Sequence, residues 1–140
     1  MKMERFTTAA QEVLAGAQTA ASGASHPEVG GLHLLAAMLD DPKGPATSVL
    51  NRIGAPVDRL RAIVTGELKR LPTTSSGAGQ AGRAMLDLLG KAEAEAKSMN
   101  DQYVSTEHLL AALTQVAGPA RDALKLVAVG TDEVRAAVKE

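Results

Sequence analysis

A five-residue string occurs twice in this chain. His33-Leu34-Leu35-Ala36-Ala37 recurs as His108-Leu109-Leu110-Ala111-Ala112, 75 positions later. The match runs backwards in register: Val13 and Leu14 fall on Leu88 and Leu89, Ala17 on Ala92, and Ala21 on Ala96. With one residue deleted it also runs forwards. Gly44-Pro45-Ala46 becomes Gly118-Pro119-Ala120, and DRLRAIV at 58–64 becomes DEVRAAV at 132–138. Such a repeat predicts two similar units about a pseudo-twofold axis. A chain of 140 residues is the size of one domain, and halves of about 65–70 residues would each hold only a marginal core. The expected organisation is one domain over 1–140. Repeat one covers about 4–70, a linker about 71–79, and repeat two about 80–140.

Each unit reads as four helices. Phe6, Ala10, Val13, Leu14, Ala17 and Ala21 lie at helical spacing, so a first helix is expected over 8–22. Thr8 followed by Gln11 gives a capping-box pattern at its start, and Gly23 with His26-Pro27 gives the stop. The second helix holds GLHLLAAML and ends before Pro42. A third starts near Pro45, a good first-turn residue, and stops at Gly54. The fourth runs from Asp58 to about Lys69. Unit two repeats this near 80–99, 105–116, 119–128 and 132–139, with Ser105 as N-cap and Glu107 suited to the helix dipole. Aromatic residues are only 1% of the chain, Phe6 and Tyr103 alone. The core must therefore be aliphatic and alanine-rich, and alanine is the best helix former. The fold class is all-α: a pseudo-twofold double repeat of a four-helix unit.

Residues 77–82 read GAGQAG, a G-x-G-x-x-G string with Asp101 about 20 residues on, as a dinucleotide site would have it. Such a site must follow a buried strand that aims the loop at the pyrophosphate. Upstream stands VTGELKRLPTTSS, a helix end and a turn. The glycines belong to a Pro/Thr/Ser/Gly-rich seam with the composition of a flexible linker, and no cofactor is expected.

Other chemistries find little support. A net charge of −1 gives no field for nucleic acid or an anionic membrane, and the basic stretch 52–70 is interrupted by Asp58 and Glu67. There is no cysteine, so neither a disulfide framework nor a thiolate metal site. Apolar runs fall well short of the roughly 20 residues a membrane helix needs. The N-terminus lacks a signal-peptide pattern, so a cytoplasmic location is expected. His33 and His108 occupy equivalent positions. A two-histidine metal site with Glu107 would lack a matching carboxylate in unit one, where Leu32 stands, so both rings are expected to be partly buried and hydrogen-bonded near their helix starts. His26 reads as a loop residue. Asp40-Asp41 and Glu93/Glu95 read as solvated helix ends and faces. No catalytic or metal residues are expected.

MERFTTAAQEVLAGAQTAA, the doubled HLLAA helices, IGAPVDRLRA and ELKRLPTTSSG together resemble the N-terminal domain of Clp-family AAA+ chaperones, over essentially the whole chain. RLP and NDQYVSTEHLLAAL most resemble the ClpB disaggregases, with ClpC and ClpA unfoldases as the second choice. ClpC-type domains typically carry Thr-Glu-His in both repeats; here only Thr106-Glu107-His108 keeps it, against Gly31-Leu32-His33. The resemblance implies a non-enzymatic module of a hexameric ATPase. Such a module weakly captures unfolded or aggregated polypeptide or, in the alternative, docks an adaptor protein. The isolated chain, ending near the family's domain boundary at VRAAVKE, is expected to be an excised monomeric domain, with a standalone paralogue as the alternative. The family-like contact positions are Thr7, Leu89, Asp101 and Glu107, with Tyr103 and His108 adjacent. They are expected beside a groove between the first helix and the second helix of unit two.

Overall fold

The computed structural model describes residues 3–139. Eight α-helices occur among them: α1 Thr8–Gly23, α2 Gly31–Leu39, α3 Pro45–Ile53, α4 Val57–Lys69, α5 Arg83–Ser98, α6 Thr106–Leu113, α7 Pro119–Leu126 and α8 Thr131–Val138. Pro45 and Pro119 sit in the first turns of α3 and α7, where a missing N–H costs nothing. Gly54 ends α3 in the left-handed conformation at φ 87°, the usual helix stop. α1 starts at Thr8 as expected, but its cap is not the expected residue. Thr7, not Thr8, is the cap, and its hydroxyl accepts from the Ala10 N–H at 3.1 Å. Gln11 turns back to the carbonyls of Met3 and Phe6.

The two most apolar helices decide the packing. Six of the nine residues of α2 are buried, and in α6 every residue except Glu107. Helices apolar all round cannot face water, so the other helices enclose them. α1 packs on α2 and α5 on α6 within the units, while α3 packs on α8 and α4 on α7 across them. These contacts exchange under the repeat, so the arrangement is pseudo-twofold, and one buried apolar cluster draws on both units.

The chain also forms short parallel backbone pairs that helix periodicity does not foretell. β1 (Glu28–Val29) pairs with β2 (Gln80–Ala81), Val29 opposite Ala81, and Phe6 forms a parallel bridge with Val104. Val29 and Val104 are repeat equivalents, as are Phe6 and Ala81. Each unit's segment before its second helix therefore pairs with the other unit's segment before its first. For this reason α5 begins at Arg83 and not near 80.

The glycine-rich seam is held, contrary to its flexible composition. Thr74 donates to the Ser25 carbonyl at 2.8 Å, Gly79 to His26 at 2.8 Å and Gln80 to Pro27 at 3.0 Å. Gly79 has φ 74°, and a Cβ there would collide with the Ser22 hydroxyl of α1. The glycine string thus lets the chain lie against α1. Its two-residue strand falls inside the string rather than before it, which is not a dinucleotide loop.

Glu95 also departs from expectation. It is 3% exposed, not on a solvated face. Arg135 of α8 holds both its oxygens, through Nε at 3.2 Å on Oε2 and through a guanidinium amino group on Oε1. Gln115 donates to Oε1 at 2.8 Å. The Arg135 hydrogen bond holds the Glu95 carboxyl below its usual pKa, against the opposing effect of burial. Glu95 ties α5 to α8 and to the end of α6.

Two outcomes are predicted. Because the backbone pairs cross between units, unfolding followed by circular dichroism and by calorimetry should coincide in one transition; two resolved transitions would contradict the crossed design. Glu95→Ala should lower stability by about 1–3 kcal/mol in urea titrations, a value reduced because Arg135 stays half-exposed to water. A loss within error of zero would refute the structural role.

Candidate polypeptide-binding surface

Both repeated histidines perform the same local task. Each occupies the third position of its helix, and its Nδ1 accepts the N–H of the N-cap residue: Gly30 to His33 at 3.0 Å and Ser105 to His108 at 2.8 Å. An accepting Nδ1 leaves the proton on Nε2. His108 Nε2 then donates to Asp101 Oδ2 at 2.7 Å, and His33 Nε2 to His26 Nδ1 at 2.8 Å. Asp101 and His26 are themselves repeat equivalents. His26 lies in a loop, as expected, and is only 7% exposed. The rings are structural, and no group of three or more His, Asp or Glu among the described residues could hold a metal ion.

The six expected contact residues fall into four places. Thr7 donates its N–H to the Val104 carbonyl at 2.9 Å, which sets it beside Tyr103, a residue 50% exposed. Asp101 is joined to the buried His108 and lines a hollow of about 520 Å³ with Met99, Arg135 and Val138. Glu107 lines another of about 410 Å³ with Lys43, Arg52 and Val138. Leu89 is half-buried on α5 against the core. Val138 of α8 thus lies between Asp101 and Glu107, whereas Thr7 lines neither hollow.

Two further hollows are repeat equivalents of each other, and the six residues line neither. One, of about 180 Å³, lies among the start of α2, α5 and the α6–α7 turn; Gly31, Leu32, Ala84, Leu88, Val116 and Pro119 are among its lining residues. The other, of about 250 Å³, lies between α1, the α2–α3 turn and α6; Ala9, Glu12, Val13, Asp40, Asp41 and Thr106 are among those lining it. Ala84 and Leu88 in the first correspond to Ala9 and Val13 in the second, and Gly31 to Thr106. The first is apolar. A Cβ on Gly31 would come within 3.0 Å of Ala120 and 3.2 Å of Leu113, so glycine admits the α7 start. The second carries carboxylates. Sequence reading missed both hollows, although mismatched repeat positions such as Gly31/Thr106 would have pointed to them.

The sequence matches the family model of the Clp repeat N-terminal domain over residues 5–127. The chain belongs to this family. Among relatives, the chaperone protein ClpB of Rhodopirellula baltica is 37% identical over 99% of this chain, which spans 16% of that protein's length. Among solved structures, the Hsp104 N-terminal domain from Candida albicans superposes at TM-score 0.83, with 21% identity, 96% of this chain and 89% of that one covered. A ClpV N-domain in complex with a VipB peptide superposes at 0.74, with 17% identity, 89% of this chain and 80% of that one covered. The eight-helix double repeat is the Clp N-domain fold, and no described helix of this Clp N domain is long and apolar enough to cross a membrane.

A pH dependence follows from His33. Burial first, and the neighbouring His26 second, push its pKa down from 6.5 to about 4. In the unfolded chain the ring binds a proton below about 6.5; in the folded chain it stays neutral down to about 4. The unfolded state then holds more protons, so stability is full above that window and falls as pH drops through it, by on the order of 3 kcal/mol. Melting curves between pH 7.5 and 4.5 should show this loss, with a shallower slope in His33→Gln. Equal slopes would remove His33 as the source.

Proposed function

We propose that this Clp N domain engages non-native polypeptide for a ClpB-type disaggregase and hands it to the ATPase ring of the longer protein. The observation that carries this reading is the apolar hollow between α2, α5 and the α6–α7 turn, lined chiefly by aliphatic side chains and glycine. Unfolded chains expose aliphatic and aromatic side chains, and an open apolar hollow takes such groups without demanding a sequence. Burying one or two side chains yields weak binding, because association costs several kcal/mol before any surplus appears. Weak binding suits a station that must release its cargo. Thr7, Leu89, Asp101, Tyr103 and Glu107 are the proposed further contacts, spread over separate places, with half-exposed Tyr103 the most accessible apolar one and buried His108 acting by holding Asp101. Adaptor docking is the competing reading, favoured by the relative whose N-domain binds a VipB peptide.

The test is a titration of the domain with β-casein, an unfolded model protein. Ala84→Glu and Val116→Lys place charges in the apolar hollow at positions that are not fully buried. Binding is predicted to weaken about tenfold, or ~1.4 kcal/mol, with melting temperatures nearly unchanged. Thr7→Ala and Glu107→Ala probe the further contacts in the same assay. If both hollow variants bind as the parent does, the hollow is not the site. If the parent ignores casein but binds a dedicated partner peptide, the adaptor reading replaces this one.

A further inference from the structure

The hollow between α1, the α2–α3 turn and α6 is lined by three carboxylates, Glu12, Asp40 and Asp41. Asp40 is the C-cap of α2 and Asp41 follows it. A helix C-terminus bears partial negative charge, so carboxylates there are unfavourable. The expected compensation is a lysine or arginine partner. Among the described residues, no ion pair engages Asp40, Asp41 or Glu12 on the facing helix α1. The backbone N–H of Lys43, at 3.1 Å from Asp41 Oδ1, is the one hydrogen bond these side chains receive among those residues. Across the repeat, Asp40 and Asp41 correspond to the uncharged Gln115 and Val116, in a turn that has one residue deleted and ends at Gly118 with φ 153°, against −75° at Gly44.

A second observation is independent of the acids. Thr106, 1% exposed, lines this hollow, and its hydroxyl has no hydrogen-bond partner among the described residues. A buried hydroxyl left unpaired costs free energy, and the equivalent position, Gly31, carries no polar group at all. The wall also includes Val13 and Met38, fit to pack an aliphatic stem. Three carboxylates, a free hydroxyl and an apolar wall match a long cationic side chain, whose methylenes pack while its head meets the acids. The acids are too dispersed to hold a metal ion, since no such group occurs among the described residues.

We infer that this hollow is a subsite for an arginine or lysine side chain of the bound polypeptide, recognised by Glu12, Asp40 and Asp41. The inference rests on the polypeptide-engaging reading above and specifies its substrate class: apolar segments that also carry basic residues. The related apolar hollow takes the aliphatic residues and this one the cation, so one duplicated architecture reads two kinds of side chain.

The test uses the 140-residue chain and three end-blocked peptides of one leucine- and alanine-rich sequence, with arginine, glutamine or glutamate at the same two positions. Titrations followed by amide NMR should show the arginine peptide binding about fivefold tighter than the glutamine peptide, and the glutamate peptide weakest. The preference should shrink with added salt, and the arginine peptide should shift the Gly16, Gly44 and Thr106 amides. Asp40→Asn with Asp41→Asn should abolish the preference while the melting temperature holds or rises, because the unfavourable dipole contact is gone. Loss of binding together with loss of folding would contradict the inference. So would equal affinity for the arginine and glutamine peptides, or a preference that survives in the double variant. If the peptides bind regardless of charge and shift only Ala84 and Val116, this inference falls and the polypeptide-engaging reading stands. If none binds, both fall.

Discussion

Two helices without a solvent face dictate the rest of the molecule. α2 and α6 are so apolar that neither can lie on a surface. A single unit has too few helices to enclose its own apolar helix, so each borrows cover from the other: α7 lies on α2 and α3 on α6. The crossed pairs Val29–Ala81 and Phe6–Val104 carry the same exchange into the backbone. Burial also explains the histidines. A polar ring on an enclosed helix must have both nitrogens matched, and each Nδ1 takes an N-cap N–H while each Nε2 meets His26 or Asp101.

Duplication separates architecture from function within one chain. Some positions that hold the fold keep their type in both copies, as His33 and His108 do, or Pro45 and Pro119. Positions that only line a hollow are free to differ. Gly31 admits the α7 start at one hollow where Thr106 adds a hydroxyl at its counterpart, and Asp40-Asp41 charge one turn where Gln115-Val116 leave the other neutral. His26 and Asp101 stand between these classes. Both accept from a buried histidine, but only Asp101, with half its side chain exposed, also presents a carboxylate to solvent.

Family membership and the solved Clp N-domains account for the fold. The Hsp104 N-domain keeps the architecture at 21% identity, a level at which most aligned residues differ. Similar folds can therefore present different side chains to a polypeptide, and the hollows rather than the helices are where such domains would diverge.

The sequence by itself determined the eight helices, their order and their doubling. Those signals are local: apolar spacing of three and four, proline at the first turn, glycine at the end, and a 75-residue shift that needs no coordinates to see. It also placed both histidines at helix starts, because an N-terminal turn leaves N–H groups that a ring nitrogen can accept. Only the tertiary structure decided which units exchange partners, that Glu95 is buried against Arg135, that the glycine seam is pinned to Ser25, His26 and Pro27, and which residues line a common hollow. Glu95 illustrates the reason. Its neighbours in sequence read as a solvated helix face, and its actual partner lies 40 residues away on α8. Contacts of that kind depend on how enclosed helices pack in three dimensions, which the periodicity of any one segment does not encode.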